Sequence, residues 1–452
     1  HVASIMQKMY GNQYKASIEK KGTEWFQFIE DEHIWKHINQ GMDLRCKISN
    51  DVVEVVEKAK ANIRRKNREL DDFSEYAKAR LEELQKVEKN LMTAGFKDSV
   101  MRECSEKFRE QEFISKLNMN PFLLVCKNGV LNLRATRTNP QGVEESFVEF
   151  RPGRPEDMMN FVAGRDSMGN DPIEYLPYNP HDPTQHEIEE FFTKIFPRPE
   201  LRAYVKVLLS SCLEGANREQ CYYTLIGVGG NGKSKIVELM KLVLGDYQTN
   251  LASTALTRKR PDSGAANPDI IALKNRRFIY LQEPDEREPL NTSRMKEFSG
   301  EDAVSGRALF GDQEKFKISG KLFMMCNNLP PINAMDRGTW RRIRVIPFES
   351  KFVSEGDTGY EDLLAGKPNV FPKDMFLDEK LKRWRTAFLS LLVWTYENIY
   401  CKVGLCEPPI VRQASNDYRE QFDTFAKFRN ARILVVPGER TDFNRITRAY
   451  RN

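Results

Sequence analysis

The chain has 452 residues, 40% of them hydrophobic and 30% charged, and 70 Lys and Arg against 65 Asp and Glu leave a net charge of +5. At about 100–200 residues per domain, this predicts two to four globular domains and excludes extended disorder. So small a charge also excludes a nucleic-acid-binding surface over the whole molecule, so that any basic footprint is local.

The eight cysteines form no CxxC pair, and only five histidines accompany them. The sequence therefore predicts neither a disulfide framework nor a zinc site, and it favours a reducing, intracellular compartment. No apolar run reaches the roughly 18–20 residues that a membrane span needs, so we expect no membrane association. Because the chain begins at His1 rather than Met, we expect it to be a piece of a longer protein.

Residues 1–115 carry no chemical motif, and we expect an N-terminal α+β and helical region that serves as a collar or in oligomerisation. Residues 24–29 and 33–35 are typical of two short strands around a turn. In residues 51–90, apolar side chains recur every seventh position, which predicts a helix with one apolar stripe. The stripe either binds a partner or packs on its own domain, and packing is the more common outcome.

Residues 116–205 form the second predicted region. The run 121–133 indicates a strand, an Asn-Gly turn and a second strand. Residues 151–184 are rich in Pro, Gly, Asp and Asn and predict a long loop, and a helical pattern follows over 186–212.

Residues 206–350 alternate strand-like runs with amphipathic helices, which is typical of an α/β fold. A β-rich run at 220–226 leads into the pattern GxxxxGK[ST], made of Gly227, Val228, Gly229, Gly230, Asn231, Gly232, Lys233 and Ser234. The glycines let backbone N–H groups point at phosphate oxygens, and the following helix adds its positive N-terminal end. Lys233 can reach the β- and γ-phosphates and the Ser234 hydroxyl can ligate Mg²⁺. The sequence thus predicts a nucleoside triphosphate site for ATP and Mg²⁺ rather than a glycine-rich turn.

A P-loop enzyme also needs an acid at the end of a neighbouring strand. The run 276–283 is an apolar strand that ends in Glu283, which we expect to polarise the attacking water and to help hold Mg²⁺. Asp285 and Glu286 follow, and a solvated acidic turn is the more common role for such a pair.

Two further polar features follow strands. Asn327 comes after the strand 321–326, where its amide can donate to the γ-phosphate and accept from the water, although Asn-Asn before Pro-Pro is also typical of a plain turn. Residues 337–344 contain four arginines. A guanidinium there can stabilise charge on the γ-phosphate, and in ring ATPases a neighbouring subunit supplies it. The alternative is a basic strand edge that makes ion pairs.

Together these elements resemble the superfamily 3 helicases, the AAA+ ring motors of DNA viruses. They are most similar to the poxvirus-type primase-helicases of nucleocytoplasmic large DNA viruses. The resemblance is carried, besides the P-loop, by residues 127–133, 181–183, 300–307 and 340–348. It implies a pre-helicase domain at 116–205, an α/β P-loop AAA+ core at 206–350 and a helical region at 351–452 that begins a winged helix.

The resemblance also implies roles for single residues. These are Lys233 and Ser234 as the Walker A pair, Glu283 as the Walker B acid, Asn327 as sensor 1 and Arg342, with Arg341 second, as a trans-acting arginine finger. Many relatives carry two adjacent acids at the Walker B position, where this chain has Gln282 before Glu283. Asp285 or Glu286 can therefore share the metal.

The family's pore hairpin corresponds to residues 308–318. Lys315 and Lys317 would contact DNA phosphates, and Phe316 would stack on a base or brace the hairpin. The alternative is a surface hairpin with ordinary lysines. Basic clusters at 258–260 and 423–452 are weaker candidates for DNA contact.

The implied function is an ATP-dependent replicative DNA helicase of the host cytoplasm. It would form a homo-oligomeric ring, most simply a hexamer, around single-stranded DNA and act with replication partners. One alternative is a P-loop ATPase that does not unwind, such as a packaging motor or clamp remodeller. Another is a nucleotide-gated scaffold whose working surface is residues 51–115.

Overall fold

The computed structural model describes residues 1–452 except 20–21, 70–73, 141, 167–168, 258–265, 283–287, 309–311, 333–335, 358–359, 366–367, 423–427, 430, 435, 437 and 452. The described chain is a mixed α/β protein with two compact units. The first unit is made of residues 1–119, 128–130 and 152–161, and the remaining residues form the second. The predicted domain boundaries at 115/116, 205/206 and 350/351 stay predictions.

The first unit is built on an antiparallel sheet in the order β1-β2-β3. Its strands are β1 (Tyr14–Glu19), β2 (Gly22–Ile29) and β3 (Ile34–Ile38). Its helices are α1 (Val2–Tyr10), α2 (Met42–Ser49), α3 (Asp51–Glu69), α4 (Glu75–Leu91), α5 (Ala94–Lys107) and α6 (Phe113–Lys116). The predicted pair of strands around a turn is confirmed, because the one-turn helix Glu30–Glu32 joins β2 to β3.

The single helix predicted over residues 51–90 was wrong, because two helices occupy this stretch. Helix α3 ends at Glu69, and α4 begins after Ser74, whose hydroxyl accepts a hydrogen bond from the Ala77 N–H at 3.3 Å. Such a cap satisfies a free N–H and starts a new helix. The apolar stripe packs within its own unit, since Val56 and Leu84 belong to one core with Trp25. This is the more common of the two outcomes considered for the stripe.

The second unit begins with a three-stranded sheet in the order β4-β5-β6. Its strands are β4 (Leu123–Cys126), β5 (Gly129–Thr138) and β6 (Glu144–Arg151). The predicted Asn-Gly hairpin is confirmed by β4 and β5. The long loop is confirmed as well, since the described residues between β6 and Pro183 contain only the one-turn helix Pro155–Asp157.

The centre of the second unit is a parallel sheet with the order β13-β7-β12-β9-β8. The strands of this part are β7 (Tyr222–Ile226), β8 (Gln248–Asn250), β9 (Phe278–Leu281), β10 (Ala303–Arg307), β11 (Gln313–Lys317), β12 (Lys321–Cys326) and β13 (Ile343–Pro347). Strands β9 and β12 are buried along their whole length, as expected of parallel strands covered on both faces. Strands β10 and β11 form a separate antiparallel hairpin.

The second unit also contains helices. They are α7 (Pro183–Ile195), α8 (Pro199–Ser210), α9 (Lys233–Leu244), α10 (Thr254–Thr257), α11 (Pro268–Ile271), α12 (Thr292–Ser299), α13 (Arg337–Trp340), α14 (Tyr360–Ala365), α15 (Leu377–Arg383), α16 (Arg385–Thr395), α17 (Cys401–Val403), α18 (Pro409–Phe422) and α19 (Phe443–Arg451). A π-helical turn, Tyr396–Tyr400, joins α16 to α17. None of the helices in the described part of the chain combines the length and apolarity needed to cross a bilayer.

Two predictions about these helices and loops were wrong. The helical pattern over 186–212 is two helices, because Pro197 and Pro199 interrupt it and Pro199 starts α8. The sequence also predicts a loop near residues 353–370, but this stretch contains α14 and ends in strand β15 (Val370–Pro372), which pairs in parallel with β14 (Lys351–Val353).

A buried ion pair fixes the amino end of β12. The Lys321 side chain is 1% exposed, and its Nζ lies 3.2 Å from Glu219 Oε2 and donates to the Ala216 carbonyl at 2.8 Å. The Tyr400 hydroxyl donates to Glu219 Oε1 at 2.8 Å. Burial raises the pKa of Glu219, but Lys321 outweighs it and holds this pKa below its usual value. The strand that carries Asn327 at its other end is therefore anchored in the core.

Candidate nucleotide site

Residues 227–232 connect the buried strand β7 to helix α9. Gly230 and Gly232 have φ angles of 74° and 90°, in the region that other L-residues disfavour. A Cβ on Gly227 would lie 2.0 Å from Asn231 Nδ2 and 2.7 Å from the Phe348 carbonyl oxygen. These three positions of the motif therefore require glycine.

Val228 and Gly229 lie on the exposed side of the loop. A Cβ on Gly229 would meet no atom within 4 Å, which leaves space for a ligand to approach the backbone. Val228 is 68% exposed on the loop, and Ser234 is exposed in the first turn of α9.

Lys233 and Asn327, which are far apart in the sequence, meet at the carboxyl edge of the sheet. The buried Lys233 Nζ donates to the Gly227 carbonyl, to Asn231 Oδ1 at 3.2 Å and to Asn327 Oδ1 at 3.1 Å. The contact arises because β7 and β12 are parallel neighbours with Ile226 opposite Cys326. The structure thus brings together two of the residues singled out in the sequence.

The loop has hydrogen-bond donors to offer. Asn231 is buried, and its Nδ2 has no hydrogen-bond partner in the described part of the chain. Gly232 precedes α9 without a side-chain cap, although the Lys233 and Lys235 N–H groups already donate to Asn231 Oδ1 and to the Gly232 carbonyl. Buried donors without partners destabilise a fold unless something pairs with them. A phosphate fits here, since helix N-termini and convergent N–H groups bind anions.

A cavity of about 760 Å³ opens in front of the loop. This volume lies within the range of small-molecule sites, which is about 300–1,000 Å³. Beyond the P-loop its wall includes the apolar side chains of Phe191, Ile195, Phe352, Leu377 and Trp384. The cavity therefore offers a polar end for phosphates and an apolar part for a base.

Helix α15 is tied to α9 beside this cavity. Lys235 Nζ donates to Asp378 and, at 2.8 Å, to Glu238 Oε2. Burial lowers the pKa of Lys235, but these carboxylates outweigh it and raise this pKa above its usual value. The backbone of Phe352 donates to the Gly230 carbonyl at 2.7 Å, which joins β14 to the loop. This part of the cavity wall was not predicted from the sequence, because α15 and β14 carry no motif of their own.

Glu283, Asp285 and Glu286 lie outside the described residues, so their placement stays a prediction. Strand β9, which precedes them, pairs in parallel with β12, with Leu281 opposite Met324. Its carboxyl end therefore reaches the same edge of the sheet as Asn327. The basic cluster 258–260 and most of 423–430 also lie outside the described residues.

The arginines of residues 337–344 lie at the opposite edge of the sheet from the P-loop. Arg342 precedes β13, whose first residue Ile343 pairs with Tyr222 at the start of β7. Its Nε and Nη1 are shielded from solvent and have no hydrogen-bond partner in the described part of the chain. Arg341 is exposed, and its Nη2 lies 3.5 Å from Gln220 Oε1. The structure does not bring either arginine to the P-loop of its own chain.

The hairpin β10–β11 has one buried and one exposed face. Val304 lies opposite Phe316; Val304 is buried in the core and Phe316 packs against it, half-buried. Lys315 and Lys317 are exposed, opposite Ser305 and Ala303. The position of Phe316 favours a bracing role, and the lysines face solvent. The tip of the hairpin, residues 309–311, lies outside the described residues.

Comparisons with known proteins agree with the motifs. The family described as D5 N terminal like matches residues 3–197. The "Putative helicase L207/L206" of Acanthamoeba polyphaga mimivirus is 34% identical over 437 residues, which cover 94% of this chain and 42% of that protein. The "Putative helicase 022R" of Frog virus 3 is 27% identical, over 94% of this chain and 51% of that protein.

The "Putative primase C962R" of African swine fever virus (strain Badajoz 1971 Vero-adapted) is 26% identical, over 98% of this chain and 45% of that protein. The chain thus spans about half the length, or less, of the curated relatives it matches. Among solved structures, the apo NrS-1 C terminal region (305-718) is 12% identical with a TM-score of 0.41, covering 68% of this chain and 73% of that one. At that TM-score the likeness does not establish a common fold. The resemblance inferred from the motifs is nevertheless confirmed by the sequence relatives, and the chain belongs with the primase-helicase proteins of nucleocytoplasmic large DNA viruses.

Proposed function

We propose that this chain is the helicase part of a viral primase-helicase, with a P-loop AAA+ core of the superfamily 3 type. It hydrolyses ATP and moves along single-stranded DNA as a ring of identical subunits, most simply a hexamer, at a cytoplasmic replication site with replication partners. The observation that carries the proposal is the contact of Lys233 with Asn327 in front of a cavity of nucleotide size.

Different residues of the site bind the phosphates of ATP, hold the metal and orient the attacking water. The N–H groups of residues 227–234 bind the phosphates, and Lys233 neutralises charge on the β- and γ-phosphates. The Ser234 hydroxyl, with Glu283, would hold Mg²⁺, which when bound neutralises further phosphate charge. Asn327 orients the attacking water, since its amide lies beside Lys233.

The position of Arg342 supports hydrolysis between subunits. Five residues of extended strand separate Arg342 from the edge where the P-loop begins, a span of about 17 Å. A guanidinium at that distance does not reach the phosphates of its own chain. Because its Nε and Nη1 are shielded within its own chain, the guanidinium would have to turn outward to contribute charge in the transition state to the phosphates bound by a neighbouring copy.

Strand displacement tests the proposal directly. With ATP and a forked duplex, the chain should release the labelled strand, and particle images with an ATP analogue should show closed rings. ATP turnover without displacement would instead favour a motor that does not unwind, such as a packaging ATPase. No turnover at all would favour a scaffold.

The hairpin lysines should control the salt dependence of DNA binding. We expect Lys315→Ala with Lys317→Ala to weaken single-strand binding. The slope of log affinity against log salt should become less negative by about 0.7 for each lost phosphate contact. Fluorescence anisotropy at several salt concentrations measures this. Lys382→Ala with Lys402→Ala, which removes two exposed lysines from α15 and α17, should leave the slope unchanged. An unaltered slope in the hairpin variant would place the DNA site elsewhere.

A further inference from the structure

A series of hydrogen bonds connects helix α12 to Arg342. Helix α12 leads into the β10–β11 hairpin, the proposed DNA contact. Lys296 on α12 donates from Nζ to Asp336 Oδ1 at 2.8 Å. Asp336 Oδ1 accepts from the Thr339 N–H at 2.9 Å, and the Thr339 hydroxyl donates to Asp336 Oδ2 at 2.8 Å. The Thr339 carbonyl in turn accepts from the N–H of Arg342 at 3.1 Å. The hydrogen bonds of Lys296, Asp336 and Thr339 thus run without a break from α12 to the backbone of Arg342.

Helix α12, where this series of hydrogen bonds begins, packs in one core with the β10–β11 hairpin. Met295 and Phe298 of α12 are fully buried and share one core with Val304 of β10. Only residues 300–302 separate α12 from β10. A shift of the hairpin is therefore carried into α12, because close-packed cores transmit displacement.

Helix α13, near the Arg342 end of the series, is too short to be stable without contacts to other elements. Helix α13 has only four residues, so it gains little from helix formation alone, and Asp336 is its N-terminal cap. The Lys296 ammonium favours the charged carboxylate of Asp336 and lowers its pKa to about 2. The start of α13 therefore depends on where Lys296 holds Asp336, while Trp340 at its other end packs against Tyr418.

A second contact runs beside the first. A Cβ on Gly300, directly after α12, would lie 3.5 Å from Arg342 Nη1. The guanidinium thus rests against the segment that connects α12 to the hairpin. These two contacts of Arg342 lead back to α12, and a third holds its backbone to the sheet, because the Tyr222 N–H donates to the Arg342 carbonyl at 2.7 Å.

We propose that Asp336 is a positioning residue for Arg342, and that the Lys296–Asp336 pair couples DNA on the hairpin to the arginine that acts on the neighbouring nucleotide. The inference rests on the proposed function. DNA that displaces the hairpin moves α12, and α12 moves Arg342 through Asp336. ATP turnover then responds to DNA through this ion pair.

The test is the ratio of ATP turnover with and without single-stranded DNA. Lys296→Met removes the ammonium but keeps the stem, and Asp336→Ser keeps a capping oxygen but loses the carboxylate. Each should lower the stimulation ratio about fivefold or more, which is the lower end of coupling between sites. The KM for ATP and the melting temperature of the Lys296 variant should stay near those of the unsubstituted chain. The double variant should lose no more than either single one.

Lys274→Met is the matched control, because it breaks another ion pair of the hairpin, between Lys274 Nζ and Glu314 Oε2 at 2.6 Å. This variant should keep its stimulation by DNA. Normal stimulation in Lys296→Met, or an equal loss in Lys274→Met, would overturn the inference. An unsubstituted chain that hydrolyses ATP but ignores DNA would overturn it as well and leave the ATPase standing. An unsubstituted chain without turnover would show that the proposed function itself fails.

Discussion

Replacing Lys233 by alanine should reduce ATP turnover by about a hundredfold or more, as expected when a charge-stabilising group is removed from a preorganised site. Lys233 Nζ contacts both the P-loop and Asn327. Without it, negative charge that develops on the γ-phosphate loses its cationic partner and keeps only the N–H groups of the loop. Phosphate release under steady-state conditions measures the loss.

The fold should survive this substitution. The three acceptors that lose the Lys233 ammonium lie in or beside the cavity, where water can replace it. Lys241→Ala is a suitable control, because it removes a lysine two turns further along α9 that does not line the cavity. We expect near-normal turnover for that variant and similar thermal unfolding for both. Turnover retained in Lys233→Ala would refute the P-loop assignment.

The local parts of the site could be predicted from the sequence. The P-loop pattern requires a strand before it and a helix after it, and β7 and α9 occupy those places. Runs such as 321–326 are apolar on both faces, which is the pattern of a buried parallel strand. Pro197 and Pro199 are helix breakers, so the interruption of the helical pattern over 186–212 could also be predicted from the sequence.

The remaining parts depend on contacts between distant segments. That Lys233 meets Asn327 follows from β7 and β12 being neighbours, and no local pattern encodes the order of strands in a sheet. The three-residue strands β14 and β15 are too short to show a periodicity. The apolar wall of the cavity and the Lys296–Asp336 pair join elements from separate parts of the chain, so only the folded structure brings them together.

Replacing Arg342 by alanine should abolish hydrolysis while ATP still binds. Arginine fingers contribute about 10³–10⁵-fold to turnover, and Arg342 lies at the edge of the sheet away from its own P-loop. Turnover and the binding of a fluorescent ATP analogue, measured on the same preparation, separate the two effects. Arg341→Ala is the matched control, because Arg341 is the adjacent arginine and is exposed. A larger loss in Arg341→Ala would exchange the two roles.

Mixing variants shows whether the arginine acts across an interface. Arg342→Ala subunits keep Glu283, and Glu283→Gln subunits keep Arg342, so a site of the first beside an arginine of the second is complete. In randomly mixed rings about a quarter of the interfaces have this composition. An equal mixture should therefore regain part of the turnover that each variant lacks alone. If no mixing ratio restores activity, Arg342 serves its own chain, and the sheet geometry would then require a rearrangement that brings the two edges together.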